Sequence, residues 1–255
     1  MISSMAAVVF GLLNKFTMLL TIFRKKKKEV THQEVLSFYK NFVPENGLVF
    51  DIGANIGNRI QLFLELEATV VAVEPQANCI GILTKKFGDK IHIEHTGLSA
   101  SEGVLEFHIA DESTISTFSK EFISKTGADR FKRNNWKEPI AVPVTTVDRL
   151  IEKYGMPDFC KIDVEGFESE VLKGLTKKVP ALSFEYCVPE MSENLYSCVE
   201  QLNMLDAEAV FNYSIGESFQ MKLNEWLTYS VFLPLLKEKS FHKTLFGDIY
   251  FKSSI

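Results

Sequence analysis

The sequence predicts an α/β fold built around a mostly parallel β-sheet. Short apolar runs typical of buried strands alternate with stretches whose apolar residues recur at helical spacing. Two of these runs, at 48–51 and 69–73, end in or are followed by a carboxylate, and closely spaced glycines follow the first. Because the carboxyl ends of parallel strands meet at one edge of the sheet, a ligand site is expected at that edge.

The first elements alternate regularly. Residues 34–42 are predicted as a helix, and the apolar run 48–51, after a Pro-Glu-Asn-Gly turn, as a strand buried on both faces. Residues 58–66 continue at helical spacing. The apolar run 69–73 predicts a second strand, and a helix from about 76 to 87 follows it.

The middle of the chain interrupts this alternation. Strands are predicted at 91–94 and 104–109, the second after a Ser-Glu-Gly turn. Residues 111–139 are polar and lack a clear period, which indicates a long connection over the surface. Such a connection is either a lid over a substrate or an uninvolved excursion. In a lid, four residues would meet an acidic or sugar-like substrate: Arg130, Lys132, Arg133 and Trp136.

In the C-terminal half, predicted strands and helices alternate again. Thr146 is placed to cap a helix that Gly155 ends, and a helix at 167–173 is predicted to end at Gly174 as a left-handed cap. The other predicted elements are strands at 143–145, 181–186, 209–213 and 248–252, and a helix at 192–202.

The turn after the first strand carries the first candidate site. Gly53 and Gly57 allow a sharp turn against a ligand, and Asp51 lies at the end of the strand. Glu74, after the second strand, can accept hydrogen bonds from both hydroxyls of a ribose. Alone, this turn also suits a flavodoxin-like or nicotinamide-binding protein, or a turn without a ligand. The glycine spacing is not G-x-G-x-x-G, and no phosphate loop occurs, which disfavours the pyrophosphate-binding classes.

A charged strand carries the second candidate site. Strand alternation predicts that Lys161, Asp163 and Glu165 point to one side. Burying three charged side chains without partners would cost much free energy. The pattern therefore predicts an ion-paired cluster that lines a pocket at the carboxyl edge of the sheet. The alternative is an ion-pair network with a purely structural role. Glu185 is the carboxylate of the next predicted strand and is assigned to the substrate pocket.

With these residues in view, the sequence resembles the FkbM-type S-adenosylmethionine-dependent methyltransferases. The resemblance rests on Asp51-Ile-Gly-Ala-Asn-Ile-Gly57, Val73-Glu-Pro75, Lys161-Ile-Asp-Val-Glu-Gly-Phe-Glu168 and Val171-Leu-Lys-Gly174. It implies a Rossmann-like class I methyltransferase fold, with a mostly parallel seven-stranded sheet and an antiparallel C-terminal edge. It also implies methyl transfer, usually to oxygen, with a hydroxyl of a sugar, glycolipid or secondary metabolite as acceptor. The residues expected to bind S-adenosylmethionine are Asp51, Gly53, Asn55, Gly57 and Glu74.

The charged strand supplies the catalytic candidates for such a transfer. Asp163 or Glu165 would remove a proton from the acceptor, and Lys161 would orient that carboxylate or stabilise a developing alkoxide. A divalent metal shared by Asp163, Glu165 and Glu185 is an alternative to ion pairing, but no metal is predicted. A catalytically silent binding module and a nicotinamide-dependent oxidoreductase stay open as other classes of function.

Composition limits the partners. A net charge of −5 and a pI near 5.7, without a basic stripe after Lys28, exclude nucleic acid as an expected substrate. The four cysteines contain no C-x-x-C pair and are expected to be reduced core residues. A single methyltransferase domain is predicted over residues 31–255.

Residues 1–30 form a separate N-terminal segment. Residues 1–23 are mainly apolar, with Asn14 and Lys15 near the middle, and Arg24–Lys28 is a basic cluster. Because the positive charge follows the apolar stretch, a cleaved signal peptide is disfavoured. A membrane anchor, an interfacial helix and a helix packed on the domain stay open. The anchor and interfacial interpretations leave the enzyme in the cytoplasm, at the face of a membrane.

Overall fold

The structure is a computed structural model that describes residues 30–255. The predicted N-terminal segment lies outside the described residues, apart from Val30. Within residues 30–255, no helix has the length and apolar character needed to span a membrane. The helices are α1 (His32–Tyr39), α2 (Ile60–Glu65), α3 (Ala77–Phe87), α4 (Lys120–Thr126), α5 (Val147–Tyr154), α6 (Glu168–Lys173), α7 (Ser192–Leu205), α8 (Tyr229–Leu236) and α9 (Lys239–His242).

The β-strands form one large and one small sheet. The strands are β1 (Leu48–Ile52), β2 (Thr69–Val73), β3 (His92–Glu94), β4 (Gly97–Leu98), β5 (Gly103–Phe107), β6 (Ile140–Thr145), β7 (Phe159–Ile162), β8 (Ala181–Cys187), β9 (Val210–Tyr213), β10 (Leu227–Thr228) and β11 (Phe246–Lys252).

The large sheet has the order β10-β9-β11-β8-β7-β1-β2-β3. The pairs from β8 to β3 are parallel, whereas β11 is antiparallel to both β8 and β9. This arrangement confirms the predicted Rossmann-like sheet with an antiparallel C-terminal edge. The two-residue strand β10 extends the predicted seven strands to eight.

The small sheet departs from the simple strand-helix alternation. Strand β5 pairs antiparallel with β6, and β4 pairs parallel with β6, in the order β4-β6-β5. The predicted strand at 143–145 therefore begins earlier, at Ile140, because Gly103 to Phe107 pairs with residues 140–144. Of the described strands, these three form a layer of their own beside the main sheet.

Both faces of the main sheet are covered, as the apolar runs predict. On β7, Phe159 packs edge-on against the rings of Tyr39 and Phe63 from α1 and α2. The next residue, Cys160, lies in the hydrophobic core that includes Leu150 of α5 and Leu172 of α6. Alternate residues of a central strand thus pack against different helices, which explains why β1 and β7 are almost wholly apolar.

The end of α6 differs from the prediction. Gly174 has φ −85° and is not a left-handed cap. A Cβ at this position would lie 2.3 Å from the carbonyl oxygen of Ser99. Close backbone approach, not helix termination, therefore explains this glycine.

The long connection 111–139 is neither unstructured nor wholly on the surface. It contains α4, and Phe122 packs in a small core with Ile115 and Met191, against which Trp136 is packed. The Arg130 guanidinium donates to both carboxylate oxygens of Glu190, at 3.0 and 2.9 Å, and to the carbonyl of Val188 at 2.8 Å. The N–H groups of Arg130 thus donate to other residues of the protein.

The lid prediction was therefore wrong in its residues. None of Arg130, Lys132, Arg133 and Trp136 lines the cavity described below. Ser113, Thr114, Ser116 and Phe118, from the start of the same connection, do line it. The start of the connection forms a wall of the cavity, and its later part anchors that wall.

Replacing Arg130 tests this anchor. The substitution Arg130→Ala leaves Glu190 without its partner, and we expect it to destabilise the connection by about 2 kcal/mol. Limited proteolysis and hydrogen exchange should then accelerate within residues 111–139. Lys132→Ala, at an exposed neighbouring position, is the matched control and should exchange like the wild type. Equal rates in all three proteins would contradict the anchoring role.

Candidate active site

A cavity of about 380 Å³ opens at the carboxyl edge of the parallel strands. Its size lies within the ~300–1,000 Å³ typical of small-molecule sites. Six carboxylates and two cations of the described chain line it, together with polar and small residues. The charged lining residues are Asp51, Glu74, Asp163, Glu165, Glu185, Glu217, Arg59 and Lys161.

The turn after β1 is fixed by backbone contacts. The N–H groups of Gly53 and Ala54 donate to the carbonyl of Val73, at 3.0 and 3.1 Å. Gly53 has φ +81°, and a Cβ there would lie 1.8 Å from the carbonyl oxygen of Asp163. Glycine is therefore required at position 53, and its presence brings the β1 turn against the end of β7.

Glu74 is held by hydrogen bonds beside the same turn. Its carboxylate accepts the backbone N–H of Asn55 at 2.8 Å and that of Gln76 at 2.7 Å, one on each oxygen. Burial raises the pKa of Glu74, while these two hydrogen bonds oppose the rise. Each oxygen keeps acceptor capacity toward the cavity, as binding two ribose hydroxyls requires.

Lys161 is the buried cation of the site. Its Nζ donates to Asp163 Oδ2 at 2.6 Å, and its side chain is 7 % exposed. Burial alone would lower the pKa of Lys161, but the charges of Asp163, Asp51 and Asp248 raise it above its usual range. Lys161 therefore stays protonated and acts as a fixed positive charge, not as a base.

A turn, not strand alternation, brings Glu165 into the cavity. Strand β7 ends at Ile162, and Glu165 and Gly166 both have positive φ, +54° and +81°. The prediction that Lys161, Asp163 and Glu165 lie together is correct, but its reason was wrong. Carboxylate oxygens of Asp163, Glu165 and Glu185 lie within 4.8 Å of one another.

Glu165 and Glu185 are acids with perturbed titration. Burial, together with the charge of nearby Asp163, raises the pKa of both carboxyls well above the usual range. The charge of Glu165 also raises the pKa of Glu185, so ionising both carboxyls beside Asp163 is costly. The spacing would also suit a hard divalent cation. The absence of a metal stays a prediction.

Glu168 holds the turn that carries Glu165. Its Oε1 accepts the backbone N–H groups of Val164 at 3.2 Å and Gly166 at 3.1 Å, and Asn194 Nδ2 donates to Oε2 at 2.7 Å. From the other side, Thr117 Oγ1 donates to the carbonyl of Glu165 at 2.8 Å. Residues on α6, α7 and the long connection thus fix the left-handed conformation of Glu165.

Sequence reasoning missed three charged residues of this region. Asp248 faces Glu185 in the antiparallel register of β8 and β11, and burial raises its pKa to about 6. Arg59 and Glu217 form an ion pair at the cavity wall, 158 residues apart. An aspartate at the start of the strand 248–252, directly before Ile-Tyr-Phe, was the available signal for Asp248.

The buried Glu168 makes a pH-dependent contribution to stability. Burial raises its pKa from 4.5 to about 7, so the folded state binds more protons than the unfolded state between those values. Stability therefore falls as pH rises through this window, by up to about 3 kcal/mol. Glu168→Gln should remove this part of the slope in denaturant unfolding measured from pH 4 to 8. Glu170→Gln, at a half-exposed position of the same helix, should keep the wild-type slope. An unchanged slope in Glu168→Gln would refute the assignment.

The chain is similar to known methyltransferases. A family model, the methyltransferase FkbM domain, matches residues 51–213. The hexuronic acid methyltransferase AglP of Haloferax volcanii is 28% identical over 158 residues, covering 60% of this chain and 59% of AglP. The chain thus spans less than two thirds of that relative.

Solved structures of methyltransferases align with the chain at low sequence identity. A precorrin-6y C5,15-methyltransferase from Geobacter metallireducens aligns over 92% of this chain and 94% of its own, with 12% identity and a TM-score of 0.45. A TehB-like methyltransferase from Corynebacterium glutamicum aligns over 98% and 100%, with 8% identity and a TM-score of 0.43. Because the family model covers more than half of the sequence, including the β1 turn and the Lys161–Glu168 block, this chain belongs to the FkbM methyltransferase family, whose methyl donor is S-adenosylmethionine.

Proposed function

We propose that the protein methylates a hydroxyl oxygen of a sugar-like acceptor, such as a sugar, a glycolipid or a glycosylated secondary metabolite. The observation that carries this proposal is the convergence of Asp163, Glu165 and Glu185 beside Lys161 in the lining of the cavity. An alcohol must lose its proton as it attacks, so an alcohol acceptor needs a base at the reacting end. A carboxylate acceptor would not need one.

The turn after β1 and the carboxylate after β2 suit the donor. Asp51, Gly53, Asn55 and Glu74 line the cavity, whereas the predicted Gly57 is not among the lining residues, and a Cβ there would meet Phe87 and Leu83 of α3. Bound there, S-adenosylmethionine supplies a methyl group on a positively charged sulfur. The fixed Glu74 carboxylate would accept hydrogen bonds from the ribose hydroxyls.

Glu165 is the residue that we assign as general base. Asp163 is already engaged in a 2.6 Å ion pair with Lys161, so its carboxylate is less free to accept a proton from a ligand. Among the described residues, no lysine, arginine or histidine forms an ion pair with Glu165. Burial and the charge of Asp163 raise the pKa of Glu165, and a higher proton affinity favours removal of the proton from an alcohol.

Lys161 and Glu185 would support this proton transfer. Lys161 holds Asp163 and supplies the positive charge nearest to a developing alkoxide. A carboxylate oxygen of Glu185 lies within 4.8 Å of those of the other two acids, and Glu185 would orient an acceptor hydroxyl.

The cavity lining favours a polyhydroxylated acceptor over an apolar one. Asn58, Thr96, Ser113 and Thr114 add neutral hydrogen-bonding groups to the charged lining. The relative AglP acts on a hexuronic acid, which is a sugar. Both observations support a glycan or glycoside as the acceptor class.

The proposed location is the cytoplasm, at the face of a membrane. The basic cluster Arg24–Lys28 directly follows the apolar stretch, and basic residues are retained on the cytoplasmic side. A membrane location would bring the enzyme to lipid-linked glycans.

The acceptor can be identified by label transfer. The purified protein is incubated with methyl-labelled S-adenosylmethionine and either a membrane or a polysaccharide extract, and the labelled fraction is then treated with mild base. We expect label in glycan that survives base, because methyl ethers are stable and methyl esters are not. Label that is released by base, or found only in protein, would contradict the proposal.

The Glu165→Gln variant tests the base. Removing a general base typically costs 10²–10⁴-fold, and we expect turnover with the labelled glycan fraction to fall by about that factor. Affinity for S-adenosylhomocysteine, measured by calorimetry, should change by less than about threefold. Glu170→Gln, with the same chemical change outside the cavity, is the control. Full turnover in Glu165→Gln would remove Glu165 from the mechanism.

A further inference from the structure

Arg59 lies on the wall of the cavity directly after the β1 turn, and the mechanism above does not use it. Its guanidinium lies 4.8 Å from the ring centre of Phe219, and it forms an ion pair with Glu217. Its Nε is buried and has no hydrogen-bond acceptor. The stacked ring fixes the plane of the guanidinium, as recognition of a planar anion requires.

The partner of Arg59 is weakly held. The Glu217 side chain is 64 % exposed, whereas that of Arg59 is 23 % exposed. An ion pair with one partner so exposed contributes little stability and exchanges readily with another anion. Glu217 thus pairs with the Arg59 guanidinium but can be replaced there by the carboxylate of a ligand.

The other cation of the cavity is not available in this way. Lys161 is 7 % exposed and is already paired with Asp163. Among the described lining residues, Arg59 is therefore the cation that an incoming anion can reach. The remaining charged residues of the lining are carboxylates, which would repel an anion everywhere else.

We propose that Arg59 binds a carboxylate group of a ligand and that Glu217 is an internal substitute for it, displaced when the ligand binds. The carboxylate comes either from the methionine part of the donor or from an acidic sugar acceptor. The second source rests on the proposed function, whereas the first depends only on the donor.

The experiment compares the two partners of the ion pair. Affinity for S-adenosylhomocysteine and for methylthioadenosine, which lacks the amino-acid part, is measured by calorimetry in the wild type, Arg59→Gln and Glu217→Gln. With the donor carboxylate as ligand, Arg59→Gln should weaken S-adenosylhomocysteine binding by roughly ten- to a hundredfold and change methylthioadenosine binding by less than about twofold. Glu217→Gln should strengthen S-adenosylhomocysteine binding, because it removes the competing carboxylate.

A second arm tests the acceptor as the source. Glucuronate and glucose are titrated into the protein saturated with S-adenosylhomocysteine. If the acceptor supplies the carboxylate, Arg59→Gln should weaken glucuronate binding alone, with S-adenosylhomocysteine binding unchanged, and Glu217→Gln should strengthen it. A failure of this arm with a positive first arm would count against an acidic acceptor, not against Arg59.

The proposal predicts that the two substitutions change ligand affinity in opposite directions, and this difference decides it. A purely structural ion pair predicts that Arg59→Gln and Glu217→Gln weaken ligand binding together, and this result would overturn it. Equal weakening of S-adenosylhomocysteine and methylthioadenosine, or no change in either arm, would also overturn it. If Arg59→Gln does not fold, Glu217→Gln alone decides, because only displacement predicts tighter binding to this variant.

Discussion

The ion pair between Lys161 and Asp163 is the interaction on which the site depends. It neutralises one carboxylate at the point where the strands β1, β7 and β8 present several. Without the buried ammonium, Asp51, Asp163 and Asp248 would have to be desolvated as neighbouring negative charges. Removing one partner of a buried pair commonly costs about 3–5 kcal/mol, so this pair constrains both folding and chemistry.

Even with this ion pair formed, the carboxylates that line the cavity outnumber its cations, so the cavity carries a surplus of negative charge. That surplus is partly removed by protonation, since burial and mutual repulsion raise the pKa values of Glu165, Glu185 and Asp248. It also favours a ligand that brings positive charge, as the sulfonium donor does. A positively charged sulfur bound nearby favours the ionised form of Glu165, which is the form that a general base requires, so donor binding and catalysis depend on the same charges.

Much of this arrangement was predictable from sequence. Apolar runs ending in carboxylates, and glycines after residue 51, predicted the parallel sheet and the position of the site, because strand ends share one edge. Alternation did not predict how Glu165 reaches the cavity, since its left-handed turn depends on Glu168, Asn194 and Thr117, which are distant in sequence.

The residues that sequence reasoning missed share a physical reason. Arg59 and Glu217 are far apart in the chain, and a single arginine or glutamate has the same sequence signature as an ordinary surface charge. The lid interpretation placed Arg130 near a substrate, and the sequence could not correct it because the partners of Arg130, Glu190 and the carbonyl of Val188, are fixed only by the folded connection. Local patterns identified strands and turns, whereas long-range ion pairs required the structure.

Proton release on ligand binding tests the charge surplus most directly. Calorimetric titration at pH 6.5, in buffers with different ionisation enthalpies, gives the number of protons exchanged on binding S-adenosylmethionine and on binding S-adenosylhomocysteine. The two ligands differ in the positive charge on sulfur, which lowers the pKa values of nearby carboxyls. More protons should therefore be released with S-adenosylmethionine, and the excess should diminish in Glu165→Gln. Equal proton exchange for both ligands in the wild type would contradict the account.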